Sequence, residues 1–418
     1  MSAATPRAGR VGAFATPAVL LMNDTTHCIW ANAEKEANVV SMDSILCVQT
    51  TNGGGARLVH SMDFFQRAPD VIRFRTDRES FNEPVAAIGT TTQYLIAAVQ
   101  NVPNNTVEMW ISTDAKNWNI AHFPITNIQS PSYTVVESSP SSLWVNTKAS
   151  TSGQYATLLH SDSNGHEFVF ALSHLARQPT TGFVDYERVA GIEGIALANI
   201  VENPAQLDQD TSADPRIRSK ITFDDGSSWR FIQPPSTDVD GNSFPCDHST
   251  SLQHCSLNLH SISAGRNIGR VFSAEHAPGV LMAVGSVGEA LPPYDSCDTF
   301  LSVDGGISWK MVRRGPHKYE FGDSGDILLL VKDLGDVDEV WFSSDRGNSW
   351  NKKELGMKIK VRALTTDNIS ASRRFTLVGT LAFDSLPDAK QRQQLIMLDF
   401  DSFFSRQCKT FLCIWYRC

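Results

Sequence analysis

Apolar residues in this chain come in short runs. QYLIAAVQ (93–100), SLWVNT (142–147), GVLMAVGS (279–286), DILLLVKD (326–333) and RRFTLVGT (373–380) are each set off by Gly, Ser, Asn, Asp or Pro. Runs of this length predict short strands, and their number predicts an all-β protein. Helical periodicity is scarce, and the one stretch with a helical look, 388–394, is short. The longest apolar stretch near the start, 11–22, is broken by Pro17 and falls below the ~18–20 residues of a membrane helix. It follows Arg7 and Arg10 but lacks a convincing small-residue cleavage site, so it reads as a buried strand rather than a leader.

A repeated turn organises the strands. The pattern is Ser or Thr, any residue, Asp, any residue, Gly, two residues, then an aromatic. Thr222, Asp224, Gly226 and Trp229 fit it, as do Ser302, Asp304, Gly306 and Trp309, and Ser343, Asp345, Gly347 and Trp350. Ser161, Gly165 and Phe168 fit with Ser163 in the Asp position. Ser112, Asp114 and Trp118 form a copy one residue short and without the Gly, and Ser61 with Asp63 a worn one. Their starts lie 41 to 80 residues apart, and a four-stranded propeller blade takes roughly 40–50 residues. The chemistry is that of a hairpin: the carboxylate accepts amides of its own turn, the Gly supplies positive φ, and the Trp begins the next strand with its ring buried. Such turns are Asp-boxes. They predict a β-propeller and staple its rim, so Asp224, Asp304 and Asp345 read as structural groups.

Composition narrows the partners. The chain has 418 residues, 41% hydrophobic and 19% charged, enough for a sizeable core. Its net charge is −9, and no Lys/Arg run exceeds two residues, so no basic face for nucleic acid or a membrane surface is visible. Eight cysteines and sequons at Asn23, Asn104 and Asn368 tilt the reading toward a secretory lumen.

Three segments invite catalytic or metal readings. Cys246 and Cys255 bracket His248 and His254, but the spacing matches no common zinc module, and a disulfide closing a polar loop is the simpler account. Cys28 and Cys47 suit a second bridge. In GPHKYEFGD (315–323), Glu320 and Asp323 could form a glycosidase carboxylate pair. The plainer reading is a turn at Gly315-Pro316 and a strand ending at Gly322, with Tyr319 and Phe321 on one face. Sialidases also carry Asp-boxes, but the Arg-Ile-Pro tripeptide usual near their start is absent; Pro215-Arg216-Ile217-Arg218 is the nearest fragment. No phosphate-binding glycine loop occurs, and Gly285-Ser-Val-Gly288 reads as a strand end and turn. No cofactor is expected, and an enzyme, Asp-box glycosidase or otherwise, is the minor alternative.

Longer segments carry a resemblance. SKITFDDGSSW (219–229), CSLNLHS (255–261), APGVLMAVGSVGE (277–289), 297–333, 340–366 and MLDFDSFFSRQC (397–408) resemble, in order, the lumenal domain of sortilin-type vacuolar protein sorting receptors. The likeness is nearest the fungal branch that carries carboxypeptidase Y. It runs from about residue 15 to 408 and is densest from 219 onward. It implies a partial propeller over 15–408, about seven blade-equivalents of the family's ten, between divergent segments 1–14 and 409–418. It also implies that the early blades, signal peptide and membrane anchor are missing, and that a ring so shortened exposes apolar faces. Cys28 with Cys47 and Cys246 with Cys255 sit where the family has disulfides. Cys408 lacks its family partner, while Cys297, Cys413 and Cys418 have none that the resemblance names. The implied function is a receptor that binds peptide segments of soluble vacuolar hydrolase precursors in the Golgi lumen and releases them in an acidic endosome; a nonfunctional truncation product of such a receptor is the further alternative. The stretch at 57–63, where animal relatives hold a ligand carboxylate, is too worn to transfer a binding residue.

Overall fold

The computed structural model describes residues 20–31, 44–51, 55–74, 84–91, 93–101, 106–125, 133–139, 141–149, 152–244, 251–262, 273–367, 370–382 and 393–401. Cys246, His248, Asn104, Asn368, Cys408, Cys413 and Cys418 lie outside them, as do 11–19 and 388–392. The chain divides into two compact units, 1–132 with 137–144 and 160–169, and 133–136 with 145–159 and 170–418.

Strands follow one another as antiparallel meanders of four. The first is β1 (Thr25–Trp30), β2 (Ile45–Thr50), β3 (Ala56–Ser61) and β4 (Asp70–Val71). The second is β5 (Val85–Thr90), β6 (Leu95–Asn101), β7 (Thr106–Ser112) and β8 (Asn119–Ile120). The third is β9 (Tyr133–Ser139), β10 (Ser142–Lys148), β11 (Tyr155–Ser161) and β12 (Phe168–Ala176). The fourth comprises β13 (Tyr186–Arg188), β14 (Ala196–Val201), β15 (Ile217–Thr222) and β16 (Arg230–Phe231), and Leu175 of β12 also pairs with Ile200 of β14, joining the third and fourth sets into one eight-stranded sheet. The fifth is β17 (Ser256–Leu259), β18 (Leu281–Gly288), β19 (Asp298–Ser302) and β20 (Lys310–Arg313). The sixth is β21 (His317–Gly322), β22 (Ile327–Lys332), β23 (Asp336–Ser343) and the first part of β24 (Asn351–Thr365). The remainder of β24 turns past an irregularity and pairs with β25 (Arg374–Leu381), which pairs with β26 (Gln393–Asp399). In every set the Asp-box lies between the third and fourth strands.

Packing explains why the apolar runs do not alternate. In β18, Leu281 and Ala283 enter a core with Leu197, Ile221 and Leu257 of neighbouring strands. Met282 and Val284, on the other face, enter a second core with Leu301, Phe321, Leu328 and Leu330. β22 repeats the arrangement one sheet later. Its Leu328 and Leu330 face that second core, while Ile327, Leu329 and Val331 join Phe342, Ile359, Phe375 and Leu377 in a third. A strand whose sheet is covered on both faces carries a continuous apolar run. Successive four-strand sheets stacked face to face in chain order are the arrangement of a β-propeller. In the first unit the sheets of β1–β4 and β5–β8 share one core through Leu46, Leu58, Val85, Leu95, Ala97 and Trp110.

Several expectations need correction. Residues 20–22, the end of the apolar stretch 11–22, form no strand, and Leu20 and Leu21 are exposed; the rest of that stretch lies outside the described residues. Gln393 and Gln394, given a helical look by sequence, open β26. Gly285 lies inside β18, not at its end, because the strand continues to Gly288. A short helix, α1 (Pro204–Gln209), was not foreseen; it starts at a Pro and buries only Leu207.

Candidate functional site

The Asp-box turns are built the same way in three places. The hydroxyl of Thr222, Ser302 or Ser343 donates to Oδ1 of Asp224, Asp304 or Asp345 at 2.7–2.8 Å. The same hydroxyl oxygen accepts the amide of Gly226, Gly306 or Gly347 at 2.7–2.9 Å. Each Asp then accepts the amide of Ser228, Ser308 or Ser349, and that serine's hydroxyl donates to Oδ2. This serine, just before the Trp, is a member of the turn that the eight-residue pattern leaves unspecified. Burial pushes Asp345 up, but the hydroxyl and amide of Ser349 and the hydroxyl of Ser343 outweigh it and bring it down to about 2. The glycines carry the blade contact. Gly306 has φ +89° and Gly347 +76°. A Cβ would lie 2.7 Å from Ile221 at the first and 2.2 Å from Leu301 at the second. Trp309 is buried and donates its Nε1 to Gly306 O at 3.2 Å. Trp229 and Trp350 are half-buried.

The other copies show how the turn tolerates change. In the short copy Ser112 donates to Asp114, and Asn117 supplies both an amide and a side-chain amide to that carboxylate. The Trp118 Nε1 donates to Ala115 O at 3.2 Å. In the copy at Ser161 the Asp position was assigned to Ser163, and this is wrong: Asp162 accepts the amides of His166 and Glu167 at 3.0 and 3.2 Å. Glu167 stands two residues after Gly165, as Ser228 does after Gly226, so Asp162 accepts the equivalent amide from one position earlier. Ser161 instead accepts the Leu143 amide at 2.8 Å.

Two buried polar assemblies lie away from these turns. Arg218 on β15 is 1% exposed. Its guanidinium donates to Glu202 (2.9 Å), to the carbonyls of Leu252 and Gln253 (2.5 Å each) and to Ser256 Oγ (2.9 Å), and stacks 3.7 Å over Phe231. It therefore fixes the loop that leads into Cys255. Cys255 is disulfide-bonded; a disulfide sulfur is no thiolate ligand, so the zinc reading of this loop fails. The second assembly joins the fifth and sixth sheets. His260 stacks edge-on to Tyr294, with centroids 5.2 Å apart, and its Nε2 meets Pro292 O at 3.1 Å. Tyr294 donates to Asp333 at 2.7 Å, and Lys318 pairs with Asp333 at 2.8 Å. His317, at the head of β21, lies 3.0 Å from both Thr299 Oγ1 and Gly315 O. Burial lowers both histidines to about 4, although backbone carbonyls pull each the other way.

The remaining candidates separate. In 315–323, His317–Gly322 is a strand with Tyr319 and Phe321 buried. Asp323 pairs with Arg373 at 3.1 Å. Burial pushes Glu320 up to about 7, though its Oε1 accepts the Phe321 amide at 3.0 Å. The two carboxyls thus serve different contacts. Arg216 pairs with Glu202 and Glu289, and Arg218 is consumed by loop carbonyls, so this fragment offers no free arginine clamp. Cys28 and Cys47 form a disulfide between directly paired positions of β1 and β2. Asn23 is exposed. Cys297 is a buried free thiol, pushed up to about 12 by burial, that faces the carbonyls of Pro292 and Pro293. Among the described residues no helix is long and apolar enough to cross a membrane, and no group of three or more His, Cys, Asp or Glu is placed to hold a metal.

Comparison with known proteins places this architecture. A Laccaria bicolor protein named vacuolar protein sorting/targeting protein 10 is 38% identical over 412 residues, 95% of this chain and 28% of the relative. A protein of the same name from Mycosarcoma maydis is 34% identical over 97% of this chain and 28% of its own length. The chain thus spans about a quarter of the length of these curated relatives. Among solved structures, the β-propeller domain of the Trilobed protease from Pyrococcus furiosus aligns with a TM-score of 0.31 at 10% identity, over 85% of this chain and 91% of that one. The Sortilin-Vps10 family model, described as sortilin, neurotensin receptor 3, matches residues 13–364. The chain therefore belongs to the Sortilin-Vps10 family.

Proposed function

We propose that this chain is a cargo-binding part of a sorting receptor that carries soluble hydrolases from the Golgi to the endosome or vacuole. The observation that supports it most is the family match over 13–364, joined to the vacuolar sorting names of relatives aligned along nearly the whole chain. The geometry is compatible in kind. Face-to-face sheets stapled at their turns make a rigid frame on which loops present a binding surface, the usual work of a propeller. Its partners are peptide segments of soluble vacuolar hydrolase precursors of the carboxypeptidase Y kind, met in the Golgi and endosome lumen. The Cys28–Cys47 disulfide and the bonded Cys255 suit such an oxidising compartment. Asn23, Asn104 and Asn368 are its glycan sites, and Cys246 the partner of Cys255.

Fluorescence anisotropy with labelled peptides tiling the precursor of a soluble vacuolar hydrolase tests the reading. Saturable binding of at least one peptide is expected, and no binding across the set would overturn it. A panel of fluorogenic glycosides addresses the glycosidase alternative, for which turnover of any member would be required.

A further inference from the structure

The fourth and fifth sheets meet through apolar side chains such as Leu197, Ile221, Leu257 and Leu281. At one place they meet through hydrogen bonds instead. Asn199 of β14 donates its Nδ2 to Leu259 O of β17 at 3.0 Å, and the Leu259 amide donates to Ser219 Oγ of β15 at 2.7 Å. The Ser219 amide donates to Oδ1 of Asn258 at 3.1 Å. Beside this joint lies a small cavity whose polar walls are Asp185, Asn199, Ser219 and Ser261. Its volume, taken as the space open to the centre of a water molecule, is about 10 Å³. That is room for one water and for nothing larger.

The walls differ in what they have left to bond. Asn199 spends its amide hydrogens on Asp185 Oδ2 at 2.9 Å and on Leu259 O, and its Oδ1 accepts the Ser219 hydroxyl at 2.6 Å. Ser219 therefore donates and accepts within the wall. Ser261 does neither. It is 6% exposed, and its Oγ has no hydrogen-bond partner among the described residues. A hydroxyl shut away from solvent without a partner is costly, and native structures leave few of them. Asp185 is 2% exposed and has contacts besides Asn199, but a carboxylate accepts at about four positions. The two side chains reach the same space from opposite sheets: Asp185 stands just before β13 of the fourth, and Ser261 just after β17 of the fifth.

We infer that this cavity holds one internal water, which accepts the hydroxyl proton of Ser261, donates to the Asp185 carboxylate and so bridges the fourth and fifth sheets. The inference is independent of the cargo reading above.

An electron-density map of the unmodified chain that resolves ordered waters reads it directly. A peak about 2.5–3.0 Å from both Ser261 Oγ and a carboxylate oxygen of Asp185 is expected. An empty cavity would overturn the inference, and so would a protein atom from elsewhere in the chain bonded to Ser261 Oγ. Oxygen-17 relaxation dispersion gives the solution reading, since it counts long-lived internal waters. Ser261→Val removes the hydroxyl and sets a methyl in the space, so it should show one such water fewer than the unmodified chain; an unchanged count would overturn the inference. Urea unfolding of Ser261→Ala adds a test by sign. The midpoint should fall, because the water loses an anchor, whereas a rise would mean that the hydroxyl was stranded in a dry cavity. Circular dichroism establishes that each variant folds, and the map of the unmodified chain decides the matter if one does not.

Discussion

At the scale of the residue, the Asp-box is a closed set of local hydrogen bonds. Its members lie within eight positions, and the signal in sequence is strong for that reason: a hydroxyl, a carboxylate and a glycine at fixed spacing have few other uses. Sequence reading fails at Asp162, because a carboxylate one position early can reach the same amide, and a fixed spacing admits the Asp at one position only. It also passed over Ser228, Ser308 and Ser349, whose hydroxyls complete the carboxylate's shell. Gly347→Ala should be costly, because the new Cβ meets Leu301 while φ stays positive. A loss of about 3 kcal/mol is expected from strain and overpacking together, read by chemical denaturation. Ser343→Ala should cost about 1–3 kcal/mol, since it strands the buried Gly347 amide.

At the scale of the element, strand runs were legible because burial on both faces writes itself as an unbroken apolar string. DILLLVKD became β22, and its two faces serve separate cores. Leu328→Ala and Leu329→Ala should therefore each cost about 2–5 kcal/mol, whereas a half-buried strand would show one large and one small loss. Urea unfolding of the two variants decides between these. Helix α1 escaped notice because six residues with one buried apolar side chain and no side-chain cap leave no periodic trace. The clamp made by Arg218 was equally hidden: its partners at 202, 252, 253 and 256 are distant in sequence, and a lone Arg carries no pattern.

At the scale of the whole molecule, buried titrating groups set the response to acid. His260 and His317 stay neutral in the fold down to about pH 4. Between pH 6.5 and that point the unfolded chain takes up protons that the folded chain refuses, so stability falls. By pH 5 each histidine removes about 2 kcal/mol. Glu320 acts the other way. Its folded value of about 7 means that the folded chain is already protonated where the unfolded one is not. Acidification from pH 7 to 5 therefore returns roughly 2–3 kcal/mol through Glu320. Over these three groups acidification from pH 7 to 5 is a net loss of about 1–2 kcal/mol, and burial lowers His60 in the direction that adds to it. The Asp-box carboxylates do not add to it, because Asp345 gives up its contribution only as pH falls from the ordinary carboxylate range toward about 2. Melting temperatures at pH 7 and pH 5 should show the loss. Combining His260→Gln with His317→Asn should reverse its sign, leaving Glu320 to stabilise the acid form. None of this was legible in the sequence, where eleven histidines look alike until burial distinguishes His60, His260 and His317.

The cargo binding proposed above, with release in acid, is tested most directly by paired titrations of one hydrolase-precursor peptide against the chain at pH 7 and pH 5. The expected result is saturable binding at pH 7 that is weaker at pH 5. Equal or tighter binding at pH 5 would contradict it.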